Sequence, residues 1–232
     1  MLIIARHDKP DTTNYRNQNG LLSDIEAGAD MAHFSVRLTK DNELILSHHV
    51  HLNGDRRLPK IRKSSLKQLN RFTAGSTNQI VTLEQVLKNA FGEIMLLVEI
   101  REISAVKPLL ELLEPYVKKV RAWHNILIGS PSGLVLATLR HYAPQALLSL
   151  SHHRNLLSFL ALHPGLNLNA VGFHRLHINS TVVDAAHQLD LLTYAYTVNR
   201  QPALAQMEKI GVDAILTDNP TRFSQARSLS SK

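Results

Sequence analysis

The strongest constraint on the fold is a rhythm. Nine short apolar runs with the length and composition of strands alternate with helical patterns along a chain of 232 residues. The runs are 2–5 (LIIA), 31–38 (MAHFSVRL), 43–47 (ELILS), 94–100, 125–130, 146–151, 170–174, 191–198 and 213–218. Strands separated by helices build a parallel sheet, and eight such strands close into a barrel. Nine is one too many. The second and third runs explain the surplus, because little more than Lys40-Asp41-Asn42 separates them. That is hairpin spacing, so the third strand runs antiparallel and must leave the ring. The expected fold is α/β: a TIM-type (β/α)8 barrel with an extra β-hairpin strand and a small insertion over its C-terminal mouth. The chain reads as one barrel domain over 1–223, with a small basic insertion at about 49–78 and a Ser-rich, frayed tail at 224–232.

Helices fit between most of the strands. The pattern at 82–91 opens on Thr82 with Gln85 three residues on, a capping box. The pattern at 104–117 contains Pro108, which must lie in the first turn or kink the helix. Patterns at 131–143 and 180–189 follow strands in the same way, and 203–211 ends in Gly211, a C-cap signal.

Composition excludes several classes. No apolar run approaches the roughly 18 residues of a membrane span. The opening MLIIARHDKPD has neither a basic n-region nor a cleavage site. Cysteine is absent, which rules out disulfides, thiolate metal sites and Cys nucleophiles, and makes the cytoplasm the simplest expectation for location. Asn179-Ser180-Thr181 matches a glycosylation sequon and reads as chance. The formal charge is +7, and it is concentrated: between Asp55 and Arg71 seven basic residues face one acid, a net of +6. Arg56, Arg57, Lys60, Arg62 and Lys63 lead this run, which would suit an anionic surface, nucleic acid or phosphate esters. The plainer alternative is a solvated face.

Five ordered motifs carry a resemblance. GADMAHFSVRLTKDNELILSHHVHL (28–52), QIVTLEQVL (79–87), LLVEIR (96–101), YAYTVN (194–199) and GVDAILTDNP (211–220) together resemble the glycerophosphodiester phosphodiesterases. That family consists of barrel enzymes that hydrolyse glycerol-linked phosphodiesters with a divalent metal, and the resemblance covers nearly the whole chain.

The resemblance also exposes departures at the active-site positions. The family opens with His-Arg after its first strand, whereas Arg6 and His7 stand here in the opposite order. Adjacent strand residues face opposite sides, so His7 turns into the mouth only if the strand has already ended there. His33 and Ser35 replace two metal-binding carboxylates, and Tyr15 or Asn14 stands where a loop glutamate is usual. Glu99 is kept, Arg101 replaces a lysine, and Tyr196 a tryptophan. His48 is kept in the family's His-Asp pair, with His49 in place of the aspartate.

The resemblance therefore implies His48 and His7 as catalytic candidates, Arg6, Arg101, His49 and Tyr196 as substrate-binding candidates, and Glu99 with His33 as metal candidates. Calcium and magnesium want several anionic oxygens, which this set lacks, so no cofactor is expected. A zinc-like ion on His33, His49, His48 and Glu99 is the alternative, since position 33 falls opposite 48–50 in the hairpin. Arginine cannot shuttle a proton but its fork suits phosphate oxygens, so the mouth reads as an anion-binding pocket. An internal Arg6–Glu99 ion pair filling a dead site is the competing reading.

The functional expectation is a divergent member that binds a phosphate ester in the mouth, with metal-dependent hydrolysis lost or strongly weakened. One alternative is an active hydrolase of glycerol-linked phosphodiesters, a lipid-metabolism activity, with a rearranged His-based or His-metal site. Another is an interaction module for anionic surfaces or nucleic acid. The remaining histidines, among them His152, His153, His174 and His177 near the mouth and His187 in a helix, read as loop or packing residues.

Overall fold

A computed structural model describes residues 1–7, 19–74, 79–152 and 156–224. It contains nine strands: β1 (Leu2–Arg6), β2 (Met31–Leu38), β3 (Leu44–Leu46), β4 (Met95–Glu99), β5 (Ile126–Ser130), β6 (Leu147–His152), β7 (Ala170–His174), β8 (Leu192–Tyr196) and β9 (Ala214–Thr217). Around the ring the order is β1-β9-β8-β7-β6-β5-β4-β2, and β1 pairs with β2 to close it. Every ring pairing is parallel, whereas β3 runs antiparallel against β2, outside the barrel. The fold is the expected (β/α)8 barrel with one extra strand.

The hairpin turn is built by its own side chains. Thr39 donates its hydroxyl to Asp41 (2.6 Å) and accepts the Glu43 N–H, while Asn42 takes the left-handed conformation (φ 62°) that asparagine tolerates. The Asp41 carboxylate also accepts the N–H of Leu66, at the start of α2. The Thr39 hydroxyl, aided by that N–H against a smaller cost of burial, holds Asp41 below the ordinary carboxylate range.

Among the described residues the α-helices are α1 (Asn19–Glu26), α2 (Leu66–Thr73), α3 (Leu83–Ala90), α4 (Val106–Leu113), α5 (Gly133–Tyr142), α6 (Ser158–Leu166), α7 (Ser180–His187) and α8 (Gln201–Lys209). α3 carries the predicted Thr82–Gln85 capping box. Pro108 sits in the first turn of α4, where its missing N–H costs nothing. Gly211 follows α8 at φ 81°. Asn179, the residue of the sequon, is the N-cap of α7, accepting the Val182 N–H at 3.0 Å. α6 carries no obvious sequence signal because Pro164 and Gly165 look like breakers; both lie in its last turn, and Asn167 caps it in the left-handed conformation. The tail beyond 224, together with Asn14, Tyr15 and His153, lies outside the described residues. No described helix is long and apolar enough to cross a membrane.

Two apolar layers follow from strand alternation. Outward residues such as Phe34, Val98, Ile128, Phe173 and Ile215 pack under the helices, joined by Trp123. Inward residues Ile4, Met31, Leu97, Leu127, Tyr194 and Leu216 plug the barrel. Each such buried side chain contributes about 2 kcal/mol of transfer free energy. The insertion has a small core of its own, with Leu52, Ile61 and Leu69 against Ile45 of β3.

Acidic or amide residues pin several strand entries. Asp30 accepts the Ile3 N–H (2.8 Å), Asn169 the Leu148 N–H (2.9 Å) and Asp213 the Thr193 N–H (2.8 Å). This gives the Asp of Gly28-Ala29-Asp30 and of Gly211-Val212-Asp213 a structural purpose at the face opposite the mouth. His187 completes the Asp213 cluster at 2.8 Å. Burial raises the Asp213 carboxyl, but the Thr193 N–H and hydroxyl and then His187 outweigh it, leaving the group below its ordinary range.

Candidate active site at the barrel mouth

The side chains above the apolar plug are dictated by the same alternation. Two residues beyond Ile4, Met31, Leu97 and Tyr194 stand Arg6, His33, Glu99 and Tyr196. All four line one cavity of about 230 Å³ with Ser35, His48, Arg101 and His174. The cavity opens at the C-terminal ends of the strands, where barrel enzymes place their chemistry. The inward residues of β5, β6 and β7 beneath it are small and buried: Gly129, Ser149 and Ser151, and Gly172, over which the Tyr194 ring packs.

His7 does not reach the mouth. Its N–H donates to His33 O at 3.0 Å, so the strand ladder continues through it and alternation turns its ring outward. There it stacks on Phe34 (centroids 5.3 Å apart) and bonds Asp24 at 2.7 Å. Arg6 is the residue that enters.

The β2–β3 register pairs Val36 with Leu46, and β3 ends at Leu46. Beyond it the chain bends, separating the two adjacent histidines. His48 turns inward, its Nδ1 3.3 Å from Ser35 Oγ. His49 is exposed and packs over Gly54, whose left-handed backbone (φ 75°) would bring a Cβ within 3.0 Å of that ring. His49 is not among the residues lining the cavity, so the proposed His33–His49 pairing does not form the site. Arg37 holds the bend: one guanidinium nitrogen donates to Glu102 (2.7 Å) and another to the carbonyl of His48 (3.2 Å).

The charges are paired differently from the Arg6–Glu99 alternative. Arg101 donates Nε (2.9 Å) and Nη2 (2.7 Å) to one oxygen of Glu99, and Ser151 donates to the other at 3.2 Å. Arg6 Nη1 lies 3.5 Å from Asp218. Asp218 is itself held by Asn199, which donates to its carboxylate (2.8 Å) and accepts its N–H. The mouth is thus less positive than the substitutions alone imply. Burial first, and then the Glu99 carboxylate, push the Tyr196 phenol well up, so it stays a protonated hydrogen-bond donor.

Sequence reasoning missed several of these residues. Asn199, just after β8, holds Asp218. His174, placed near the mouth but as a loop or packing residue, ends β7 two residues after inward Gly172, and parity turns it into the cavity. Ser151 on β6 follows the same rule.

The residues do not fit the divalent metal that the family's chemistry uses. Hard ions want several anionic oxygens. Here the mouth's carboxylate is already bound by Arg101 and Ser151, and Arg6 and Arg101 bring positive charge. Among the described residues no three His, Asp or Glu side chains gather as a metal site; His33 and Glu99 line the same cavity.

The fold is a (β/α)8 barrel whose mouth gathers two arginines, three histidines and one carboxylate. The model of the glycerophosphoryl diester phosphodiesterase family matches residues 19–222, and the chain belongs to that family. A glycerophosphodiester phosphodiesterase of Caldanaerobacter subterraneus is 24% identical over 212 residues, covering 84% of this chain and 85% of that protein. Among solved structures, a phosphodiesterase from Oleispira antarctica in complex with its product sn-glycerol-3-phosphate superposes with a TM-score of 0.80 at 15% identity, over 98% of this chain and 97% of that one. A glycerophosphodiester phosphodiesterase from Thermotoga maritima gives 0.77 at 19%, over 97% and 98%. At these identities the structural matches establish the fold.

Proposed function

We propose that this protein binds a glycerol-linked phosphate ester in the barrel mouth through arginine rather than through a divalent metal, and that the family's metal-dependent hydrolysis is lost or strongly weakened. The observation that carries this reading is the state of Glu99: the retained carboxylate is taken up by Arg101 and Ser151, while Arg6 enters from β1. Bidentate guanidinium groups neutralise phosphate oxygens directly. Tyr196 adds a donor. The phosphate-ester ligand is supported by the Oleispira antarctica relative, which holds sn-glycerol-3-phosphate. The expected result is binding of sn-glycerol-3-phosphate by calorimetry in the presence of EDTA. Turnover of glycerophosphocholine should not rise with Ca²⁺, Mg²⁺, Mn²⁺ or Zn²⁺. Binding that requires a divalent ion, or strong stimulation by one, defeats the proposal.

A second reading concerns the rim. Arg56, Arg57, Lys60, Arg62 and Lys63 are exposed, as are Phe72 (57%) and Val50 (48%) beside them. Basic residues interleaved with exposed apolar ones suit an anionic lipid surface. Arg57 is partly occupied by Asp55 (2.8 Å), and Arg62 donates to Thr39 O. Sedimentation with phosphatidylserine vesicles should fall steeply with salt and with Arg56→Glu/Lys60→Glu/Lys63→Glu. Equal binding to neutral vesicles would refute it.

A further inference from the structure

His174 stands where a second proton-transfer group would be useful. The ring order places β2 and β7 four strands apart in either direction, so they face each other across the barrel. His48 sits over β2, in contact with Ser35, and His174 ends β7; both line the same cavity. β1 and β4 flank β2, and they supply Arg6 and Arg101. A phosphate held by these arginines would lie in a cavity that His48 and His174 line from opposite walls.

That arrangement meets the demand of phosphodiester cleavage. The attacking and leaving oxygens lie roughly in line on opposite faces of phosphorus, so the base and the acid must also be opposed. We infer that His48 and His174 form an acid–base pair that cleaves phosphodiesters in the mouth without a bound metal; this rests on the phosphate-binding reading above. His48, whose ring lies against Ser35 Oγ, takes the proton of the attacking hydroxyl on a ring nitrogen. The hydroxyl oxygen bonds to phosphorus, the bond from phosphorus to the departing alcohol breaks, and that alcohol's oxygen takes a proton from protonated His174. The two imidazoles then exchange protons with solvent, and no oxidant or further reactant is needed. Arg6 and Arg101 hold the charge on the non-bridging oxygens.

His174 is oriented by its own end of the barrel. Its ring packs edge-on to Tyr196 (centroids 6.0 Å) and tilted against His177 (5.4 Å). The Leu176 N–H lies 3.4 Å from its Nδ1, too long to fix the tautomer. This pair replaces the Arg6 position, where the family's first histidine is absent, with a residue from the opposite wall.

The experiment compares two substrates with the same glycerol phosphate and different leaving groups, glycerophosphocholine and the p-nitrophenyl ester of glycerol phosphate, in EDTA. Choline needs a proton to leave, whereas p-nitrophenolate does not. The wild-type protein should turn over both. His48→Gln should lower both rates by about 100-fold or more, the usual worth of a general base. His174→Gln should lower the glycerophosphocholine rate by about 100-fold or more and the p-nitrophenyl rate by less than about 10-fold, since no leaving-group proton is required there. Retained p-nitrophenyl turnover also shows that the variant is folded; His174→Asn is the second variant. Equal losses on both substrates from His174→Gln overturn the assignment. So does an absence of metal-free turnover while sn-glycerol-3-phosphate still binds, an outcome that leaves the binding reading intact. Absence of that binding defeats both.

Discussion

Arg101→Ala is expected to remove phosphate-ester binding and to destabilise the protein at the same time. Arg101 makes two contacts to Glu99, at 2.9 and 2.7 Å, and both side chains are largely buried (24% and 11% exposed). Breaking a buried pair by deleting one partner leaves an uncompensated charge, which costs roughly 3 kcal/mol. Ser151 alone then bonds Glu99. The same change removes a positive charge from the mouth: Arg6 remains, but the Glu99 carboxylate is no longer neutralised by Arg101, and a charge-assisted donor is gone. Loss of such charge-assisted bonds and the added repulsion should weaken sn-glycerol-3-phosphate binding by about 100-fold or more. Calorimetry and thermal unfolding read the two effects separately. Arg101→Ala/Glu99→Ala then distinguishes them: it should recover most of the stability and little of the binding. An unchanged affinity in Arg101→Ala would mean that Arg101 serves only to neutralise Glu99.

The second large effect is expected at Gly172, which is not among the residues lining the mouth cavity. It faces inward on β7, directly opposite Tyr194 in the ladder. A Cβ there would lie 2.2 Å from the tip of the Tyr194 ring and 2.5 Å from its hydroxyl. Tyr194 cannot step aside, because the phenol is buried and accepts the Ser149 hydroxyl at 3.1 Å. Overpacking of a filled interior costs about 1–3 kcal/mol; Gly172→Val, with two further methyls, should reach the upper end of that range or exceed it. The measurement is urea unfolding monitored by tyrosine and tryptophan fluorescence. A midpoint within error of wild type for Gly172→Ala would show that the ring has another place to go.

Much of the fold was legible because strand and helix periods are local. The nine apolar runs, the hairpin at Lys40-Asp41-Asn42 and the capping box at Thr82 all depend on residues within a few positions of one another, and the ring closure follows from their count. α6 escaped notice because Pro164 and Gly165 suppress the helical pattern, although both sit in a final turn that tolerates them. Part of the site was legible by parity: residues two beyond the apolar plug had to face the mouth. The exchange of Arg6 and His7 shows the limit of this. Which of the two enters depended on whether β1 continues through residue 7, and that is decided by one bond to His33 on another strand.

The sequence by itself determined the barrel, the extra strand, the family and the departures at Arg6, His33, Ser35 and His49, because these rest on period, order and residue type. Only the tertiary structure decided the partners. Glu99 is taken by Arg101 and Ser151, Asp218 by Asn199, and the bend after β3 sends His48 inward and His49 out. His174 gains its place opposite His48 only when the ring closes. Hydrogen bonds and burial between residues tens to more than a hundred positions apart are set by how the strands lie side by side, and no local pattern records them.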